Sequence, residues 1–238
     1  MRTTRVPGSE LMDRLDVASA ALAEGLSDLR RVNRWFGGGR AALRAALPAI
    51  RAVDAPTVKV LDVATGSADI PLALVRRTRA EGLRVHVVAS DLHPETLSVA
   101  REVVADEPAI EVARADALDL PFADAEFHVA MCHTSLHHFA DREARQLLSE
   151  LGRVASHAVV VTDLARGRLA ELVVRLLAAT LWRAHPVTRH DSVVSIRAAY
   201  TADEAAELAR AAGLEQIRTR RHLFFRFSLV AAPAARGR

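Results

Sequence analysis

Val60-Leu61-Asp62-Val63-Ala64-Thr65-Gly66-Ser67-Ala68-Asp69 decides the fold. Aliphatic residues dominate its first four positions, small residues fill the next five, and an amphipathic run from Ile70 to Ala80 follows. This is the pattern of a buried strand that breaks in a tight turn and continues as a helix. Small residues let the backbone approach a ligand closely, and the free amides at a helix start favour anionic or carboxylate groups. Asp91 closes the next apolar run, 25 positions beyond Gly66. A carboxylate there can accept both hydroxyl hydrogens of a ribose, so the two features together predict an adenosine-bearing ligand.

Downstream, strand and helix patterns alternate. Val58 to Val63, Val85 to Ser90, Ile110 to Ala113, Phe127 to Cys132 and Ala158 to Thr162 read as strands. Ile70 to Ala80, Glu95 to Ala105 and Arg142 to Val154 read as the helices between them. Strands that are apolar on both faces and separated by amphipathic helices predict a doubly wound, mostly parallel α/β sheet. Ligands in such sheets bind beyond the carboxyl ends of the strands, at the switch point. The final third departs from this repeat. Leu169 to Trp182 predicts a helix and Arg183 to Arg197 a loop or small insert, with 165–200 a candidate lid over the site. Thr201-Ala202-Asp203-Glu204 carries a capping box that starts a helix ending at Gly213. Glu215 to Arg221 and Leu223 to Val230 predict an antiparallel pair at the sheet edge, bringing the sheet to seven strands.

Upstream, residues 10 to 52 are rich in Ala, Leu and Arg and are interrupted by Gly37-Gly38-Gly39, which predicts two or three short helices around a glycine turn. Asp54-Ala55-Pro56-Thr57 is a break. The expected division is therefore a helical cap over 1–55 and a catalytic domain over 56–238. A chain of 238 residues, half of them apolar, can bury one sizeable core with such an addition. The formal charge is +3 and the sequence pI about 9.9, but Lys59 is the only lysine and the arginines are scattered among acids. No basic stripe for nucleic acid is expected.

Cys132 is the only cysteine, which excludes an internal disulfide and a cysteine-built zinc site and fits a reducing cytoplasm. Met1 to Glu10 has no apolar run after it, and Leu169 to Trp182 contains Glu171 and Arg175, so neither a secretory signal nor a membrane anchor is expected.

These motifs resemble class I S-adenosylmethionine-dependent methyltransferases, in particular the branch holding ubiquinone and menaquinone C-methyltransferases and small-molecule O-methyltransferases. The family's acidic strand end and Gly-x-Gly-x-Gly turn read here as Asp62 followed by Ala64, Gly66 and Ala68, with Thr65 inside the turn. Asp91, with Leu92 beside it in Ser90-Asp91-Leu92-His93-Pro94, is similar to the family's ribose-binding acid, and Asp116, beside Ala117 and Leu118, to the acid that meets the adenine amino group. Leu120 to Val129 resembles the approach to the fourth strand. Cys132-His133-Thr134-Ser135-Leu136-His137-His138-Phe139 resembles the segment joining the methionine end of the cofactor to the acceptor pocket. The resemblance covers residues 57 to 163. It implies S-adenosyl-L-methionine as cofactor and a small-molecule methyl acceptor.

A dinucleotide oxidoreductase is the competing reading, but its Gly-x-Gly-x-x-Gly turn requires glycine at Ala64 and Asp69, and Asp69 would set a negative charge near a pyrophosphate. A non-catalytic cofactor-binding or interaction protein is the third. Methyl transfer needs an acceptor held in line, a site shielded from water and, for weakly acidic acceptors, a base. His133, His137 and His138 are the candidate catalytic residues, and packing of a helix start against the sheet is the alternative for each. His185, His190 and Asp191 form a second acid–base candidate, with a solvated loop as the alternative. No metal site is expected. Trp35, Phe36 and Trp182 are candidates for an aromatic lid, or else plain helix packing. Phe224, Phe225 and Phe227 are read as filling the sheet edge or a homodimer contact. The acceptor that fits is a mostly apolar phenol, quinol or polyketide, methylated on oxygen or carbon.

Overall fold

Five β-branched or apolar stretches pair in parallel register because both of their faces are covered by helices. A computed structural model of the chain describes residues 4–8, 10–11, 19–183 and 185–235. Its seven strands are β1 (Val58–Val63), β2 (Val85–Asp91), β3 (Ile110–Arg114), β4 (Phe127–His133), β5 (Ala155–Leu164), β6 (Glu215–His222) and β7 (Arg226–Ala232). They form one sheet in the order β3-β2-β1-β4-β5-β7-β6. All pairs through β5 are parallel; β7 pairs antiparallel with both β5 and β6. The chain winds from β1 toward β3, then returns to place β4 on the other side of β1. The amides beyond β1 and β4 therefore splay apart and open a crevice there.

Helices α3 (Asp69–Ala80), α4 (Pro94–Val103) and α2 (Gly38–Arg51) cover one face of the sheet; α5 (Asp141–Val154) and α8 (Ala202–Ala211) cover the other. One core gathers Leu147, Leu148 and Leu151 of α5 with Val159 and Val161, the other Ile50 and Leu74 with Val60 and Val160. Each such leucine or isoleucine, fully enclosed, stabilises the fold by about 1.5–3 kcal/mol. α2 thus belongs to the helix layer of the sheet, while α1 (Ser19–Trp35) reaches the crevice. Gly37, at φ 77°, makes the turn between them. The expected N-terminal helical region at 12–18 lies outside the described residues.

Two expectations require correction. The stretch expected as a loop or small insert, Arg183 to Arg197, is largely helix α7 (Pro186–Ala198), which packs against α6 (Arg168–Ala179). Pro186 occupies its first turn, where the missing N–H costs nothing, but no clean apolar stripe marked the segment as helical. The last strand begins at Arg226 and not at Leu223. Leu223 to Phe225 form the hairpin turn, with Phe224 and Phe225 both left-handed at φ 58° and 54°. An apolar turn of this kind has no Gly or Asn to announce it. The capping box of α8 forms as expected: the Glu204 amide donates to the Thr201 hydroxyl, and the Thr201 amide donates to the Glu204 carboxylate. Among the described residues no helix is long and apolar enough to cross a membrane.

Candidate active site

The turn after β1 alternates its backbone handedness. Ala64, Gly66 and Ala68 lie at φ 55°, 57° and 56°. All three positions where the family turn would carry glycine are left-handed, and two of them hold alanine. This alternation aims successive amides toward one concavity, the kind of backbone nest that receives polar ligand groups. Beyond Gly66, a Cβ in the left-handed conformation would be strained, and the nearest atom it would meet is a methyl of Leu26 at 3.8 Å. The turn is fixed from both sides: the Thr65 amide donates to Ser90 O (2.9 Å), the Thr65 hydroxyl to Asp62 Oδ2 (2.7 Å), and the Gly66 amide to Asp91 Oδ2 (3.0 Å). The two segments read separately in the sequence are therefore in direct contact.

Asp62, Ala64, Thr65, Gly66, Asp91, Leu92, Asp116, Ala117 and His133 all line a single cavity of roughly 560 Å³. Cys132, expected among them, does not. Its side chain is fully buried in the core beside α5, because alternate residues of β4 face opposite sides and His133 takes the cavity side.

Charge selects the ligand. Asp62, Asp69, Asp91 and Asp116 all face this cavity. Burial pushes Asp62 up to about 7, with the Asp69 and Asp91 carboxylates adding to the rise and the Thr65 hydroxyl opposing it. Burial also raises Asp69 and Asp91. Asp62 Oδ1 is buried without a hydrogen-bond partner. A pyrophosphate would meet uncompensated like charge here, which disfavours a dinucleotide. S-adenosylmethionine fits, because it brings hydroxyl donors for Asp91, a cationic sulfonium and ammonium for the Asp62 side, and no phosphate.

The histidines occupy the far end of the same cavity. His133 is buried; its Nδ1 pairs with the Thr162 hydroxyl at 2.7 Å, and its Nε2 lies 3.7 Å from Asp62 Oδ1. Burial lowers it to about 4, so it is neutral. His137 is held on both nitrogens: Nδ1 donates to Asp163 Oδ1 (2.7 Å), Nε2 faces Glu10 Oε1 (3.2 Å), and its amide donates to Asp163 Oδ2 (2.9 Å). Burial works against its charge, but Asp163 and Glu10 outweigh burial and hold it as imidazolium. His138 stacks on it with ring centroids 4.3 Å apart, its Nε2 3.9 Å from Glu10 Oε2. The left-handed Thr134 (φ 54°) and the short 3₁₀ turn Leu136–His138 let neighbouring histidines reach one pocket, which an α-helix would not allow.

Glu10, Asp163 and Arg226 were not singled out in the sequence. Glu10 lies 127 positions before His137 and arrives on the N-terminal segment, which Arg5 pins by donating to the carbonyls of Ala198 (2.6 Å), Phe139 (2.7 Å) and His137 (3.2 Å). Asp163 closes β5 as Asp62 and Asp91 close β1 and β2, and that shared position was the available signal. Arg226 is buried at the cavity wall; its guanidinium donates to Thr134 Oγ1 (3.2 Å) and its Nε has no partner.

Residues of α6, α7 and the hairpin turn line the cavity as well. Phe36 packs on Trp182 (centroids 6.2 Å) and edge-on against Phe224 (5.7 Å), and Val173, Val174 and Leu177 of α6 face inward. Trp35 is 72% exposed and stands outside this cluster. Phe227 fills the core, while Phe224 and Phe225 line the cavity. Of the second acid–base group only Asp191 reaches the cavity lining. His185 pairs with Asp28 of α1 (3.0 Å), which joins the start of α7 to α1, while His190 pairs with its neighbour Asp191 within α7 (2.8 Å).

Fold, cradle and charge together are similar to those of class I S-adenosylmethionine-dependent methyltransferases. Residues 60–158 match the family model described as a methyltransferase domain. The demethylmenaquinone methyltransferase of Deinococcus radiodurans is 38% identical over 97 residues, covering 40% of this chain and 38% of that protein. That of Thermus thermophilus is 41% identical over 110 residues, covering 44% of this chain and 47% of its own. The chain thus matches less than half the length of either relative. Among solved structures, a SAM-dependent methyltransferase from Aquifex aeolicus superposes with a TM-score of 0.61 at 18% identity, over 88% of this chain and 97% of that one. Human N-acetylserotonin methyltransferase in complex with SAM gives 0.67 at 16% identity, over 97% and 61%. At these identities the likeness establishes the fold.

Proposed function

We propose that the protein transfers the methyl group of S-adenosylmethionine to an oxygen or carbon of a small, largely apolar acceptor of the phenol, quinol or polyketide type. One observation carries the reading: the acidic nucleotide cradle and the aromatic and aliphatic chamber under α6 are one continuous cavity, with His133, His137 and His138 in its lining. The bound cofactor supplies an electrophilic methyl on a sulfonium. The chain itself supplies position and dryness. Asp91 and the 64–68 turn hold the adenosyl end, and Asp116 borders it. Phe36, Trp182 and Phe224 exclude water from the other end, which raises the effective concentration of an aligned acceptor. His137 and His138, on the acceptor side, are the groups that would meet an acceptor hydroxyl, and Arg226 offers a cation to oxygen developing negative charge. The match to demethylmenaquinone methyltransferases supports an aromatic acceptor ring. The four carboxylates argue against the oxidoreductase alternative.

A labelled-methyl assay over phenols, hydroquinones and 1,3-diketones tests this. Transfer to at least one class, lost in Asp91→Ala, is expected. Tight cofactor binding with no transfer to any of them would favour a non-catalytic binding protein.

A further inference from the structure

We propose that Glu10, His137 and His138 form a site for a first-row divalent cation such as zinc at the acceptor end of the cavity. The ligand atoms of the three residues lie within 4.8 Å of one another, and all three line the cavity. Glu10 Oε1 is 3.2 Å from His137 Nε2, and Glu10 Oε2 is 3.9 Å from His138 Nε2. Bonds of about 2.0–2.2 Å to a tetrahedral ion place adjacent donor atoms roughly 3.3–3.6 Å apart, so the two carboxylate–imidazole spacings are already close to those of a coordination shell. Two imidazoles and one carboxylate are the donor set that suits zinc and its first-row neighbours, and three protein ligands leave a position open to the cavity.

The surroundings are also those of a metal site. Asp163 accepts from Nδ1 of His137 at 2.7 Å and from its backbone amide at 2.9 Å, which fixes the ring and leaves Nε2 as the ligating nitrogen. Ser195 hydrogen-bonds Glu10 Oε1 and orients the carboxylate. Glu10 and His137 are almost wholly buried, at 7% and 2% exposure, so both ligands are held inside the protein and not on its surface. The ion would also tie Glu10, which already meets Ser195 of α7, to the turn after β4. An acceptor oxygen, carrying a lone pair, is the ligand suited to the open position. That last use rests on the methyl-transfer reading; occupancy of the site does not.

The test uses the full chain without a polyhistidine tag, stripped with chelator and dialysed against zinc or cobalt(II). One ion per chain is expected, with visible cobalt absorption of a low-coordinate nitrogen and oxygen site and a zinc-dependent rise in Tm. Glu10→Gln and His138→Ala should each abolish stoichiometric binding, and Asp163→Asn should weaken it roughly 10–100-fold. His157→Ala, an exposed histidine on β5, should leave it unchanged. Glu10→Gln keeps the volume and hydrogen bonding of the side chain, and cooperative unfolding of the metal-free variant verifies that it folds. No stoichiometric binding by the native chain, or equal binding by folded Glu10→Gln and His138→Ala, overturns the proposal. Either result leaves the labelled-methyl assay to judge the methyl-transfer reading independently.

Discussion

Lowering the pH should weaken cofactor binding through Asp62. Its carboxyl is buried, titrates at about 7 and keeps Oδ1 unpartnered; the titratable groups facing it are Asp69, Asp91 and His133. His133, at about 4, stays neutral through the neutral range. A cationic ligand beside Asp62 favours the carboxylate and lowers its pKa, so binding expels a proton wherever the free protein carries one. With a free-state value near 7 and a bound-state value well below 5.5, the dissociation constant grows by the factor 1 + 10^(pKa − pH), about 25-fold from pH 7.5 to 5.5, equivalent to about 2 kcal/mol. Burial raises Asp91 too, and it adds to the effect in the same direction. Titration calorimetry across that range, in buffers of different ionisation enthalpy, measures both the affinity and the released proton. Asp62→Asn should bind more weakly at pH 7.5 and lose most of the pH dependence. A native affinity that is flat from pH 5.5 to 7.5, with no proton released, would refute the reasoning.

The same residue sets a stability prediction: its folded value lies above the unfolded 3.8, so its contribution is fully present below pH 3.8 and is lost as pH rises through 7. Without cofactor, Asp62→Asn should therefore be more stable than the native chain at pH 8, by an amount bounded at about 4 kcal/mol and read as a higher urea midpoint. Ala64→Gly, relieving a left-handed alanine that costs about 1–2 kcal/mol less the backbone entropy that glycine adds, should raise Tm by roughly 1–4 °C in calorimetry. Asp91→Ala removes the ribose acceptor and also the partner of the Gly66 amide; at about 1.5–3 kcal/mol per charged hydrogen bond, calorimetry should show at least a tenfold loss of cofactor affinity. Arg226→Met, similar in length but uncharged, should raise KM for the acceptor in steady-state assays while cofactor affinity changes less than twofold.

The alternation of strands and helices along the chain, the turn at 64–68 and the acids at 62, 91 and 116 were legible in the sequence because each is a local signal: apolar period, small-residue turn, carboxylate at or near a strand end. Winding rules then put a crevice beyond the strand ends at the switch point, and residues 60–69 already held Asp62, Ala64, Thr65, Gly66, Ser67 and Asp69 of its wall. What the sequence could not show was assembled by distance. The hairpin turn at Leu223–Phe225 and the helix Pro186–Ala198 lack the glycine and the apolar stripe that would have marked them, and tertiary contacts decide their shape. The 3₁₀ turn sets the adjacent His137 and His138 both beside Glu10, which an α-helix would not allow. No periodicity links residue 10 to residue 137. Their meeting follows from the packing of the N-terminal segment across the finished sheet, and only the folded chain contains that information.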